Sequence, residues 1–306
     1  MDNTVNTSAA NTSEGNMGRV IKDYPCGYDN TAGLTVSVGK ELGLSFPETY
    51  YDSDAIVKMV LAQKEKDGAP FAEITLGRCL EAETLGADVR IDDSEAGPMI
   101  NDYKYNKVEE LLDMPAANLD HPRLQAILGA ARKLSAMDVP VMIEIAGPIT
   151  ILSFLMKTPK LFKGIRKSPE VMAQVLEKLG NDIIAIMEAA KAAGVNIINY
   201  SDSVGGVNIL GPELAAEMVR IFTKKMALRM RDLSDEKTMV IMCPKTTLAL
   251  IGTGNARFEN VKMDKPMRYG EAILAMRRKG RMAGHMCIKK VDYVLSNGLF
   301  KEVVLL

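Results

Sequence analysis

The 306-residue chain has no tryptophan, two histidines (His121 and His285) and four cysteines, Cys26, Cys79, Cys243 and Cys287, that never form a CxxC pair. Cysteines this far apart fit reduced thiols in a cytosol better than a disulfide scaffold, with a metal or catalytic role open to one or two of them. An excess of charge is also missing. Lys+Arg 38 against Asp+Glu 39 leaves a net charge of −1, so no field favours a nucleic-acid backbone or an anionic membrane. No apolar run reaches the roughly 18 residues that span a bilayer, and no basic start leads into a hydrophobic stretch. These absences lead to the expectation of a soluble, cytoplasmic protein with neither nucleic acid nor membrane among its partners. A dinucleotide loop is absent as well: Gly252-Thr253-Gly254-Asn255 is too short to be one and reads as a turn.

What stands in place of tryptophan is methionine, 20 residues of it beside seven phenylalanines, which implies a core filled by flexible thioethers. Residues Met1 to Met17 are rich in Asn, Thr, Ser and Ala with little to bury, and are expected to be a disordered tail before one domain over residues 18–306. Apolar runs then alternate with helical spacing. Candidate strands fall at Arg19–Tyr24, Phe71–Leu76, Val139–Ile145, Val195–Tyr200, Met239–Met242, Phe258–Met263 and Arg281–Met286, and a last helical turn is expected at Val291–Leu295. Strands separated by helices imply a parallel sheet covered on both faces, and chemistry at the carboxyl ends of the strands implies an α/β fold of the TIM (β/α)8-barrel type. Seven strands leave the last strand-helix unit of such a barrel missing. An open barrel, closure by the tail or a partner chain, or a shortened version of a longer parent would each account for the shortfall.

Three strand ends carry reactive side chains. Asp202, before Ser203-Val204-Gly205-Gly206, is expected to point into the barrel mouth, although a helix-capping aspartate explains the same pattern. Cys243 and Cys287 end strands two places apart, and alternate barrel strands share a layer, so their sulfurs are expected to approach one another. His285, two residues before Cys287 on the same strand face, completes a candidate zinc set. Two buried thiols without metal is the simpler account. Glu81 and Glu83 start a helix, where its dipole alone explains them. Glu144 sits inside an apolar strand, where a carboxylate needs a partner.

Phe46-Pro47-Glu48, Leu80-Glu81-Ala82-Glu83-Thr84-Leu85-Gly86-Ala87, Gly147-Pro148-Ile149-Thr150, Asp202-Ser203 with Gly205-Gly206, and Cys243 before Thr246-Thr247 follow one another in an order that resembles the uroporphyrinogen decarboxylase superfamily, specifically its methylcobamide:coenzyme M methyltransferase-like branch. The resemblance runs from about Arg19 to the end. It implies a TIM barrel that moves a methyl group from a methylated corrinoid, held by a carrier protein, to a thiol or similar small-molecule acceptor activated by zinc. It also implies Asp202 as the catalytic residue, with Glu81, Gly147, Thr150 and Ser203 around the substrate. The sequence departs from the family's His-x-Cys zinc motif, because Ile241 stands where the histidine belongs and only Cys243 is kept, and no counterpart of the final cysteine follows. Zinc is therefore in question. A decarboxylase acting on a porphyrinogen is the runner-up, set back by the lack of an arginine-rich substrate motif around Tyr24 to Gly33. A degenerate barrel that only binds a corrinoid protein is a third reading.

Overall fold

Several helices of this protein start with proline. Pro122, Pro148, Pro169, Pro212 and Pro244 each open a helix, where the missing N–H goes unneeded and the fixed φ already suits the first turn. The computed structural model describes residues 20–26, 36–74, 79–92 and 97–306. The expected tail over residues 1–17 lies outside them.

Nine strands are described: β1 Ala72–Ile74, β2 Asp88–Arg90, β3 Met99–Asp102, β4 Val141–Ala146, β5 Ile197–Ser201, β6 Met239–Met242, β7 Ala256–Lys262, β8 Met282–Ala283 and β9 Leu299–Leu305. The main sheet runs β1-β4-β5-β6-β8-β9-β7, and β2 with β3 forms a separate antiparallel ribbon. From β1 to β8 every pairing is parallel. β9 returns antiparallel to both β8 and β7. Among the described residues β1 and β7 are the two edges, so backbone hydrogen bonds do not close the sheet into a ring.

Three expectations are corrected here. Residues 20–26 form no strand; Ile21 instead packs on the helix Pro244–Gly252, so closely that a Cβ on Gly252 would stand 2.6 Å from its Cα. The strand expected at Arg281–Met286 shrinks to Met282–Ala283, since Gly284 leaves the ladder and Arg281 is drawn to Glu302 at 3.0 Å. No helical turn forms over Val291–Leu295. There Val294 makes a bridge to Arg268, and Asn297-Gly298, with Gly298 at φ 65°, turns the chain into β9.

The parallel strands alternate between two cores. Ile143, Ile145, Ile198, Tyr200, Val240 and Met242 face the helices and join the larger core. Met142, Ile197, Met239, Ile241 and Ala283 face the other way, with Phe71, Tyr269 and Phe300. This second set is the concave interior, and its alternation follows from the period of two in a strand. The same parity, continued toward the carboxyl ends, brings up Glu144, Asn199, Ser201 and Cys243. The interior is thus apolar at one end and polar at the other, which puts the chemistry at the carboxyl ends.

Candidate active site

The strand register sets the polar layer. Glu144 pairs with Asn199, Asn199 with Ile241, and Ile241 with Ala283. Around this layer lies a cavity of about 350 Å³ walled by Glu144, Asn199, Ser201, Ser203, Cys243, Lys245 and Lys289, with Cys26 and Cys287 at its side. A volume of this order suits a small molecule. Asn199 Nδ2 donates to Glu144 Oε2 at 3.0 Å. Burial raises the Glu144 carboxyl above its ordinary range, while Lys289 pulls it down less than burial pushes it up. Lys289 itself is ion-paired with Glu73, and that carboxylate, against the effect of burial, keeps its ammonium above the usual value.

Three thiols share the cavity. Cys243 caps the helix Pro244–Gly252, and its N–H donates to the Tyr200 carbonyl at 2.8 Å. Burial pushes the Cys243 thiol up to about 12, and Cys287, Glu144 and Cys26 are near enough to add to the rise. Cys287 is raised as well, chiefly by burial. Its N–H donates to the Tyr24 hydroxyl at 3.4 Å, and the Tyr269 hydroxyl donates to the Met286 carbonyl at 3.4 Å. Cys243 and Cys287 thus line one cavity, and Cys26, which sequence reasoning passed over, lines it too.

His285 does not. With the strand ending at Ala283, its ring turns in among Tyr269, Phe258 and Phe300, at centroid distances of 5.2, 6.3 and 6.3 Å. Burial lowers its pKa to about 4 and leaves it neutral, and it is not among the cavity's walls. Thiols and a carboxylate are donors of the kind zinc takes, yet among the described residues no three His, Cys, Asp or Glu side chains stand close enough to share an ion. As placed, the residues do not fit the metal.

Asp202 lies on the other parity from Ser201 and Ser203. It faces the helix Pro148–Leu155, where its carboxylate accepts from the Thr150 N–H and hydroxyl, both at 2.8 Å, and from the Ile149 N–H at 3.4 Å. The barrel-mouth expectation gives way to the capping one, with the carboxylate supplied by a neighbouring strand instead of by the helix's own first residues. Gly147 makes room for it: a Cβ there would stand 2.3 Å from Asp202 Cβ. Thr150 is the cap's partner, and Val204 N–H donates to its hydroxyl at 3.1 Å. Glu81 is buried and accepts from Ala146 N–H at 2.7 Å; burial lifts its pKa to about 7. Glu83 forms an ion pair with the fully buried Arg123 at 2.6 Å. Of the residues expected around a substrate, Ser203 alone lines this cavity, while Glu81, Gly147, Thr150 and Asp202 stand behind it.

Comparison with known proteins places the chain among its relatives. A family model described as uroporphyrinogen decarboxylase (URO-D) matches residues 18–287. The chain belongs to the uroporphyrinogen decarboxylase family. Within reach of this URO-D chain are two curated relatives called "Methylcobamide:CoM methyltransferase MtaA", from Methanosarcina barkeri and from Methanosarcina barkeri (strain Fusaro / DSM 804). Each is 22% identical over 233 residues, which is 75% of this chain and 68% of the relative. A solved methyltransferase from Methanosarcina mazei superposes with a TM-score of 0.59 at 20% identity, covering 72% of this chain. The match spans 65% of that solved chain, just under two thirds of its length. The URO-D chain therefore has the α/β fold of the TIM-barrel type, in the branch that holds the MtaA proteins.

Proposed function

We propose that this chain is a corrinoid-dependent methyltransferase, passing a methyl group from a methylated corrinoid on a partner protein to a small-molecule thiol in the cavity beside Glu144 and Cys243. The observation that carries the reading is the similarity to the two MtaA relatives across 233 residues. The methylated corrinoid supplies an electrophilic methyl carbon, and the acceptor must meet it as a thiolate. The protein's part is to hold the acceptor and keep its own groups out of the reaction. A Cys243 thiol raised to about 12 stays protonated at neutral pH and does not compete for the methyl. Ser201 and Ser203 offer hydroxyls along the wall, and Asp202, by fixing the helix start behind them, is a positioning residue.

The cavity argues against a porphyrinogen. An octa-acid tetrapyrrole needs several cations around it, and among the described residues the walls offer Lys245 and a Lys289 already paired with Glu73.

The test is oxygen-free incubation with methylcobalamin and a panel of small thiols, following loss of the methylcobalamin spectrum and formation of the methyl thioether. Transfer that depends on protein and thiol is the expected result. Carbon dioxide released from uroporphyrinogen with no methyl transfer would replace this reading by the decarboxylase one. Capture of a corrinoid protein without transfer would leave a non-catalytic binding barrel.

A further inference from the structure

The charges lining the cavity are held in an unusual way. Glu144 is oriented by an amide, Asn199, and among the described residues makes no ion pair of its own, since the ammonium of Lys289 is committed to Glu73. Glu144 in the cavity wall and Glu73 outside it thus share the field of a single lysine, which leaves one negative charge in surplus. Lys245 is arranged in the mirror sense. Its Nζ donates to another amide, Asn208 Oδ1, at 3.0 Å on the solvent side, and among the described residues it makes no ion pair. Its stem lies so close over Gly206 that a Cβ there would stand 2.8 Å from Lys245 Cδ, so the backbone is cut away to seat it. One positive charge is in surplus there. Each charge is aimed but not neutralised, and a buried or half-buried charge without its counter-charge is the arrangement a complementary ligand group relieves.

We propose that the cavity takes a small zwitterion of the α-amino-acid type, its ammonium on Glu144 and its carboxylate on Lys245. A ligand with a single charge satisfies one end and leaves the other exposed. The thiol acceptor named above is on this view an amino-acid thiol. The inference rests on that reading for its choice of probes, and it makes Glu144 and Lys245 the residues that select the acceptor.

The test is a matched set of thiols titrated calorimetrically into the full chain without oxygen: L-cysteine, cysteamine (no carboxylate), 3-mercaptopropionate (no ammonium) and ethanethiol (neither). L-Cysteine is expected to bind at least about tenfold more tightly than each of the others, as one charge-assisted hydrogen bond allows. Glu144→Gln, nearly isosteric, should erase the advantage over 3-mercaptopropionate and keep that over cysteamine. Lys245→Met should do the reverse, so each variant controls for the folding of the other. The proposal is overturned if a singly charged or neutral thiol binds as tightly as L-cysteine, if both variants keep the wild-type ranking, or if none of the four binds. Absence of methyl transfer with this binding pattern intact would sink the methyltransferase reading and leave the zwitterion site standing.

Discussion

Glu81 shows what a single buried carboxyl does to the whole protein's response to pH. Its pKa rises from 4.5 to about 7 because burial disfavours the charged form, and the Ala146 N–H recovers only part of the loss. A raised carboxyl favours the folded state below its unfolded pKa. That contribution is complete below about pH 4.5 and is lost as pH climbs through about 7, on the order of 3 kcal/mol in all. Glu81→Gln keeps a carbonyl acceptor for Ala146 and removes the titration. Denaturant unfolding between pH 4 and pH 8 should show the wild type losing stability relative to the variant over that window. Parallel pH curves for the two proteins would refute the assignment. At this scale the sequence was hard to read. Asp202 and Cys243 both follow strands, but only the parity of their positions separates a residue that enters the cavity from one that caps a helix behind it. Counting back in twos from Cys243 reaches Ile241, and the register then leads to Asn199 and Glu144. That count needed the strand pairing, which no single segment encodes.

Among the elements, the helix Thr158–Lys167 depends on a contact that a glycine permits. Gly164 lies against Val108, from the 3-10 turn Val108–Asp113, so tightly that a Cβ would stand 2.0 Å from Val108 Cγ1. Gly164→Ala should destabilise the protein by about 1–3 kcal/mol through overpacking, despite the better helix propensity of alanine. Val108→Ala introduced alongside should recover part of the loss, a coupling visible in a double-mutant cycle of thermal melts. Additive effects would show that the two residues do not meet. Most elements were legible, because strands such as Val141–Ala146 and helices such as Pro169–Ala192 carry strong patterns between clear stops. The strand at Leu299–Leu305 was missed although Asn297-Gly298 signals a turn into an extended run, because the expected architecture called for a parallel strand and this one is antiparallel. The helix over Pro212–Leu233 hides a further irregularity, a π turn at Val219–Thr223, that periodicity averages away.

Over the whole molecule, β9 joins the parallel part of the sheet to its far edge. All seven of its residues pair with β7, it touches β8 at Ala283, and it buries Phe300 and Val303. Removing residues 299–306 should cost at least about 4 kcal/mol from those two side chains alone, a large share of the 5–15 kcal/mol that usually holds a domain together. Lower solubility and a melting temperature well below that of the full chain are expected. An unchanged melt would mean that β7 and β9 add little to the fold. The barrel-type fold itself was legible from the alternation of strands and helices; its open edge and antiparallel return were not, since they depend on pairings between segments far apart in sequence.

Tyr24 and Tyr269, hydrogen-bonded to the backbone at Cys287 and Met286, have a practical consequence in a chain without tryptophan. No indole masks the ultraviolet emission of the phenols, and two of the nine tyrosines flank the wall of the cavity. Occupancy of the site can thus be followed by native tyrosine fluorescence, with no label attached and no residue replaced.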